Sequence, residues 1–343
     1  MQLYSDEVLY IWIVQLFVMT FQKDFVSYLK AVVPDSISLA DEIAALLEVS
    51  KDSAYRRLRS ETPFSIDEAM AVCNRFEIDL SVFFASQYKM VPFRFNRVNA
   101  GDLLNYLKGI IEVVDSSVYR EAQVILAAQD VPVFHHFEYP LLGGFKLFYW
   151  EKSVMNKEAF IGQKYSLDIV HPDIQKASQR LIEKFNKLNT VEIWSLESIE
   201  ATLSQIVYYA ESGQFESDDV AFSLLKDVRQ MIDGIQHKAE MSSKTLDDHK
   251  NFALYNCEVR IGNNCIVIEH GEKRTVYISH NTFSSISTVE PEFAEDTKNW
   301  LDNLMRKSTL INDVSEKHRY QFFKALHARI DQVQVQIEKL LKS

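Results

Sequence analysis

Residues 38–84, SLADEIAALLEVSKDSAYRRLRSETPFSIDEAMAVCNRFEIDLSVFF, read as a run of short helices joined by tight turns. Ile43, Ala44, Ala45 and Leu47 put small and apolar residues on one helical face, and such a face has to be buried. A two-residue turn, Glu48-Val49, leads to Ser50, whose hydroxyl is placed to accept from the open amides of a helix starting at Lys51. Along that helix Ala54 and Leu58 stand at i and i+4 and point inward together, while Lys51, Ser53, Arg56, Arg57 and Arg59 project elsewhere. Residues 50–59 carry four cations and one anion, whereas the window 38–84 carries five cations and nine anions. Positive charge is thus concentrated on one short helix. Ser65 and Glu68 have the spacing of a capping box that opens a helix running through Arg75. With Phe21–Ala31 before it and a helix opened by Ser81 after it, the unit has five helices.

The order LADEIAALLEVS, short helix, turn, then S-x-x-E-A-x-x-V-C-x-x-F-x-I-x-L resembles the lambda-repressor-like helix-turn-helix family of Cro and phage-repressor regulators, over residues 20–88. The resemblance implies a recognition helix whose first turn enters the major groove of double-stranded DNA. There Lys51, Asp52, Ser53 and Arg56 would face base edges, and Arg57 and Arg59 would meet phosphates. Phosphate attraction needs cations at the contact surface and not a basic chain, so a net charge of -11 is compatible with this reading. It also implies that other faces repel the duplex, which restricts docking and makes it salt-sensitive. The chain has Leu39-Ala40 where the family usually has Thr-Gln, and Glu48 at a turn position often held by Gly. These departures support a different reading, a protein-interaction adaptor whose helix-turn-helix no longer touches DNA. A charge run is also the ordinary composition of a solvated helix face.

The 343 residues suffice for two or three domains, and 47% hydrophobic with 25% charged residues is an ordinary globular composition. Cys73, Cys257 and Cys265 have no His or Cys at ligand spacing, so they read as structural thiols of a reducing, cytoplasmic setting. The apolar run Val8 to Phe21 is too short for a membrane span, and Asp6 and Glu7 stand where a secretory signal has positive charge. Residues 1–19 read as an apolar extension, either a helix packed on another domain or a stretch upstream of a start at Met19, and no membrane partner is expected.

Residues 89–100, with Pro92, read as a linker into a mainly helical middle region, 101–250. Leu103, Leu104, Leu107, Ile110, Ile111 and Val114 have helical spacing, and further helices are expected at 119–129, 172–188, 197–212 and 217–240. Within this region VPVFHHFEYPLLGGFKLFYW, residues 131–150, offers Phe134, Phe137, Phe145, Phe148, Tyr149 and Trp150 as the lining of an effector pocket or, more simply, as core. His135, His136 and Glu138 are residue types found in metal sites, but adjacent histidines rarely face one ion from regular structure, and no metal or cofactor is expected. Residues 251–343 read as an α+β region. Strands at Cys257–Ile261, Cys265–Glu269 and Thr275–Ser279 would form an antiparallel meander, with a helix at Glu295–Arg306 packed on it. The last helix, Ser315–Leu341, carries Phe323, Leu326, Ile330, Val333, Ile337 and Leu340 at steps of three and four, an apolar seam suited to its own domain or to a homodimer.

The expected fold is mainly α with a small α+β carboxy-terminal part. The expected function is a sequence-specific DNA-binding transcriptional regulator, homodimeric, with a carboxy-terminal region that senses an effector or partner. An enzyme is not expected: a Walker loop, G-x-S-x-G, H-E-x-x-H and C-x-x-C are all missing from the sequence. The competing enzyme reading rests on His171-Pro172-Asp173, which most simply opens a helix, and on His270 and His280 near Lys273 and Arg274, which read as exposed turn residues.

Overall fold

A computed structural model describes residues 21–30, 33, 38–76, 78, 90–98, 103–245, 250–281 and 283–342. The extension 1–19 and the helix expected after Ser81 lie outside the described residues. The chain divides between Pro92 and Phe93 into two compact units.

The smaller unit contains α1 (21–30), α2 (Leu39–Leu46), α3 (Lys51–Leu58) and α4 (Ile66–Arg75). Phe25 and Leu29 of α1, Ala40 and Ile43 of α2, Ala54 and Leu58 of α3, and Val72 and Cys73 of α4 share one apolar core. Ala44 and Leu47 are half-buried at its edge, and Ala45 faces solvent. Between α2 and α3 the chain turns through Glu48 at φ 53°, a left-handed conformation that a non-glycine residue adopts at some cost. Ser50 then caps α3 by accepting from the Ser53 amide at 3.2 Å. The start of α4 carries the full capping box, Ser65 and Glu68 each accepting from the other's backbone amide. Buried Gln22 ties α1 to the end of α3. Its Nε2 donates to the carbonyls of Arg57 (3.0 Å) and Thr62 (2.8 Å), and its Oε1 accepts from the Phe64 amide (3.1 Å).

The larger unit is built on an eight-stranded mixed sheet. In chain order its strands are β1 (Arg94–Asn96), β2 (Gln123–Ala128), β3 (Asn189–Trp194), β4 (Phe252–Asn256), β5 (Cys265–His270), β6 (Lys273–Asn281), β7 (Ser284–Thr288) and β8 (Thr309–Leu310). Across the sheet they lie in the order β1-β7-β6-β5-β2-β3-β4-β8. β2, β3 and β4 are parallel, and every other pairing is antiparallel. Its helices are α5 (Leu103–Tyr119), α6 (Val133–Phe137), α7 (Pro140–Tyr149), α8 (Pro172–Phe185), α9 (Glu200–Glu211), α10 (Asp218–Met241), α11 (Pro291–Arg306) and α12 (Glu316–Leu340).

Alternation along the strands sends side chains to opposite cores. Ile125, Ala127, Ile193, Val267 and Val276 pack with Ala294, Leu301 and Leu304 of α11 on one face. On the other, Val124 and Leu126 pack with α5 and α8, and Trp194, Phe252 and Leu254 pack with α7, α9, α10 and α12. The joint between α6 and α7 is close: a Cβ on Gly143 would stand 2.9 Å from Phe137 Cδ1 and 3.1 Å from the His136 carbonyl oxygen.

This sheet overturns the expectation of a mainly α chain with a three-stranded antiparallel meander. The segment expected as a helix at 119–129 holds β2, whose sequence QVILAA lacks a period of two because it is buried on both faces. β3 is obscured by Thr190 and Glu192, polar residues at inward positions. The strand expected at residues 257–261 does not form: β4 covers Phe252–Asn256 and ends before them. The Cys257 amide still donates to the Trp194 carbonyl, and from there the chain leaves the sheet. The strands expected at Cys265–Glu269 and Thr275–Ser279 lie within β5 and β6. The middle and carboxy-terminal regions are accordingly one unit sharing one sheet.

The seam of α12 is used inside the chain. Phe323, Leu326, Ile330, Val333 and Ile337 are all buried against the core that includes α9 and α10.

Replacing Gln22 by Ala leaves three backbone groups without this partner and should destabilise the smaller unit by about 1–3 kcal/mol. Amide exchange in the full chain should accelerate across residues 51–64; protection equal to that of the parent would contradict the role of this side chain.

Candidate functional site

Two places carry concentrations of chemistry, one in each unit. In the smaller unit, α3 exposes Lys51, Asp52, Arg56 and Arg59, while Ser53 is half-buried. Each cation of the helix has an acidic neighbour. Lys51 Nζ lies 2.6 Å from Asp41, which lowers the Asp41 pKa and raises that of Lys51, in both cases chiefly through their hydrogen bond. Arg59 lies 2.8 Å and Arg56 3.9 Å from Glu61. These pairs are solvent-exposed, so each contributes little and exchanges readily for another anion.

Arg57 differs. Its guanidinium is largely buried, forks onto Glu68 at 2.7 and 3.2 Å, and donates to Ser53 Oγ at 2.6 Å. The Arg57 hydrogen bond holds the Glu68 carboxyl below its usual range, and Glu68 also closes the cap of α4. Arg57 is thus a brace between α3 and α4.

In the larger unit a cavity of about 520 Å³ lies between α5 and the sheet. Its floor follows from the strand register. Leu126 of β2 pairs with Ile266 of β5, Ile266 with Tyr277 of β6, Tyr277 with Ser287 of β7, and Ser287 with Arg94 of β1. A parallel row runs through Ser279, Ser285 and Asn96. The floor is apolar on β2 and β5 and polar on β6, β7 and β1. Asn96 Nδ2 donates to Ser287 Oγ at 2.9 Å and Ser285 Oγ at 3.3 Å. Tyr106, Gly109, Ile110 and Val113 of α5 form the opposite wall.

The far end of the cavity lies just beyond the carboxyl end of β2, where the sheet changes from parallel to antiparallel pairing, a location at which open α/β sheets commonly bind ligands. Asn264 Oδ1 there accepts from the amides of Gln129 (2.8 Å) and Asp130 (3.1 Å). Buried Lys146 donates to Asp130 (2.8 Å), Thr202 (3.1 Å) and Gln205 (3.0 Å).

A second buried group of charges lies beside the cavity, near Phe185. Glu192 accepts from His135 Nε2 at 3.0 Å and from Trp194 Nε1 at 2.9 Å. Lys244 Nζ donates to Thr190 Oγ1 at 2.9 Å and sits 4.4 Å from the centre of the Phe185 ring. Burial alone would raise the Glu192 pKa, but His135, Lys244 and the Trp194 hydrogen bond outweigh it and hold the carboxyl ionised. Burial pushes the Lys244 ammonium down to about 7 despite the attraction of Glu192. His136 is kept well below the usual imidazole range by burial and by the Lys146 charge.

Of the six aromatic residues expected as the lining of an effector pocket, Phe134 lines the cavity. Phe137, Phe145, Phe148 and Trp150 are buried in the cores, and Tyr149 packs at the edge of one. His135 and His136 turn to different partners, Glu192 and Thr202, and Glu138 pairs with Lys238. Among the described residues no cluster of His, Cys, Asp and Glu has the arrangement of a metal site. His171 caps α8, accepting from the Asp173 amide. Sequence reasoning passes over Arg94, Asn96, Tyr277, Ser285 and Ser287; the signal that marks them is the hydroxyl-rich SSIST of β7, too polar for an ordinary core strand. No family model, curated protein or solved structure matched the chain.

The depressed pKa of Lys244 has a consequence for stability. Between about pH 7 and 10 the unfolded chain holds a proton on Lys244 that the folded chain has released, so this residue makes stability rise with pH in that window. Replacing Lys244 by Met should remove that contribution. Denaturation at about pH 7 and about pH 9.5 should give a smaller gain for the variant than for the parent, and equal gains would contradict the assignment.

Proposed function

We propose that the protein is a sequence-specific DNA-binding transcriptional regulator whose larger unit responds to a small-molecule effector. The observation that carries this reading is the α2-turn-α3 pair. A capped eight-residue helix follows a short turn and directs Lys51, Asp52, Arg56 and Arg59 to solvent, in the sequence pattern that resembles lambda-repressor-like regulators. In this reading α3 enters the major groove, Lys51, Asp52, Ser53 and Arg56 face base edges, and Arg59 contacts phosphate. Arg57 holds the helix at a fixed angle to α4 through Glu68. The acidic partners of Lys51, Arg56 and Arg59 are exposed, and phosphate oxygens replace them on binding. The expected duplex is a pair of half-sites read by two copies of the chain, with the dimer contact elsewhere than the buried seam of α12.

One observation favours the adaptor reading. The cations of α3 all lie beside Asp41, Glu61 or Glu68, so the local field is weaker than the count of arginines implies. Selection of bound fragments from a random DNA pool by the full chain separates the two. A shared motif is expected, and recovery of fragments without one would favour the adaptor. On the selected duplex, Arg56→Ala should cost about 1–3 kcal/mol and relax base preference, whereas Arg59→Ala should weaken all sequences about equally and flatten the salt dependence. Arg57→Ala should act mainly by lowering stability, seen as a reduced melting temperature. Unchanged DNA binding in both the Arg56 and Arg59 variants would remove α3 from the groove.

A further inference from the structure

The cavity of the larger unit has a chemistry that specifies its ligand more closely than the word effector does. Among the described residues its lining holds three charged side chains, Arg94, Asp130 and Lys146. Asp130 and Lys146 neutralise one another at 2.8 Å, and Lys146 has its remaining donors occupied by Thr202 and Gln205. Arg94 is exposed on the edge strand β1, and among the described residues it has no carboxylate partner, so among these residues the cavity carries one uncompensated positive charge.

The register places Arg94 in line with Ser287 and the Tyr277 ring, and Asn96 beside it in line with Ser285 and Ser279. A guanidinium, hydroxyls and an amide therefore gather on the β1-β7-β6 part of the floor. Burial raises the Tyr277 pKa, so at neutral pH its phenol retains the proton and adds a donor. Over β5 and β2 the floor is Ile266, Ile268, Val124 and Leu126, faced by Ile110 and Val113 and closed by Phe134. One end of the floor presents a guanidinium, hydroxyls and an amide, and its middle is aliphatic.

We infer that this cavity binds an amphipathic organic monocarboxylate, its carboxylate held by Arg94 among the Ser285 and Ser287 hydroxyls and its hydrocarbon body laid along β5 and β2 beneath α5. The space suits a body of about 10–16 carbons. A guanidinium fork matches a carboxylate in two parallel hydrogen bonds, which gives orientation as well as attraction. The inference rests on the effector part of the proposed function and adds the class of the effector.

The test is calorimetric titration of the full chain, without DNA, with decanoate and dodecanoate, using 1-decanol as the neutral analogue. The acids should bind at least tenfold more tightly than the alcohol. Arg94→Gln, on an exposed edge position, should remove that advantage while leaving the alcohol's affinity unchanged. Gly109→Phe supplies a second variant: a Cβ at Gly109 meets nothing within 4 Å, so the ring enters the cavity mouth without a backbone clash and should weaken acid and alcohol alike. Absence of binding by the acids, equal affinity of acid and alcohol, an acid preference that survives Arg94→Gln, or full binding in Gly109→Phe would each overturn the inference. Because no DNA is present, failure here alongside a selected operator would leave the DNA-binding reading standing. Fatty-acid binding by a chain that selects no operator would give the reverse result.

Discussion

Burial of β2 on both faces is the constraint from which the larger unit follows. Gln123–Ala128 lies in the middle of the sheet, parallel to β3 on one side and antiparallel to β5 on the other. Ile125 and Ala127 require a cover on one face, which α11 supplies, and Val124 and Leu126 require one on the other, which α5 and α8 supply. The two neighbours of β2 thus run in opposite directions, β3 parallel to it and β5 antiparallel. The cavity reaches the carboxyl end of β2, its floor continuing over strands whose side chains change from aliphatic to hydroxyl. Asp130, two residues beyond the strand and half-buried, is paired with Lys146.

The charges buried beside the cavity are mutually dependent. Glu192 is ionised because His135, Lys244 and Trp194 surround it, and Lys244 is tolerated because Glu192, Thr190 and the Phe185 ring receive it. Removing one member leaves another buried without its counterpart, which costs more than the pair contributes. The arrangement fixes α6 against β3 by His135 and against α9 by His136 and Thr202, and so holds Phe134 at the cavity wall. The smaller unit shows the same economy on a smaller scale: Arg57, Glu68 and Ser65 together join two helices and cap one of them.

The parts legible in the sequence are those governed by local rules. The Ser50 cap, the Ser65–Glu68 box, the inward pair Ala54 and Leu58, and the helices near 172–188, 197–212 and 217–240 all follow from capping residues and a period near 3.6. The sheet is not legible because its strands depart from simple alternation for reasons set by distant partners. β2 is apolar from Val124 to Ala128, β3 holds a glutamate whose partners lie on α6 and at Lys244, and β7 is polar because it faces a cavity. Arg57 illustrates the same limit in the site: its type and spacing fit a phosphate contact, but its fork is occupied by a carboxylate eleven residues away. Of the aromatic run at 131–150, only the position of Phe134 relative to α5 and the sheet distinguishes a cavity wall from core.

Thermodynamic linkage would join the proposed DNA reading by α3 and the proposed sensing of an amphipathic anion by the sheet cavity into one measurable quantity. A ligand that biases DNA binding must alter operator affinity by the same factor by which the operator alters ligand affinity. The most direct measurement is operator affinity as a function of dodecanoate concentration, in the parent chain and in Arg94→Gln. The account predicts an affinity change of about fivefold or more at saturation in the parent and none in the variant. Operator affinity independent of dodecanoate in the parent, under conditions where calorimetry shows the cavity filled, would contradict it.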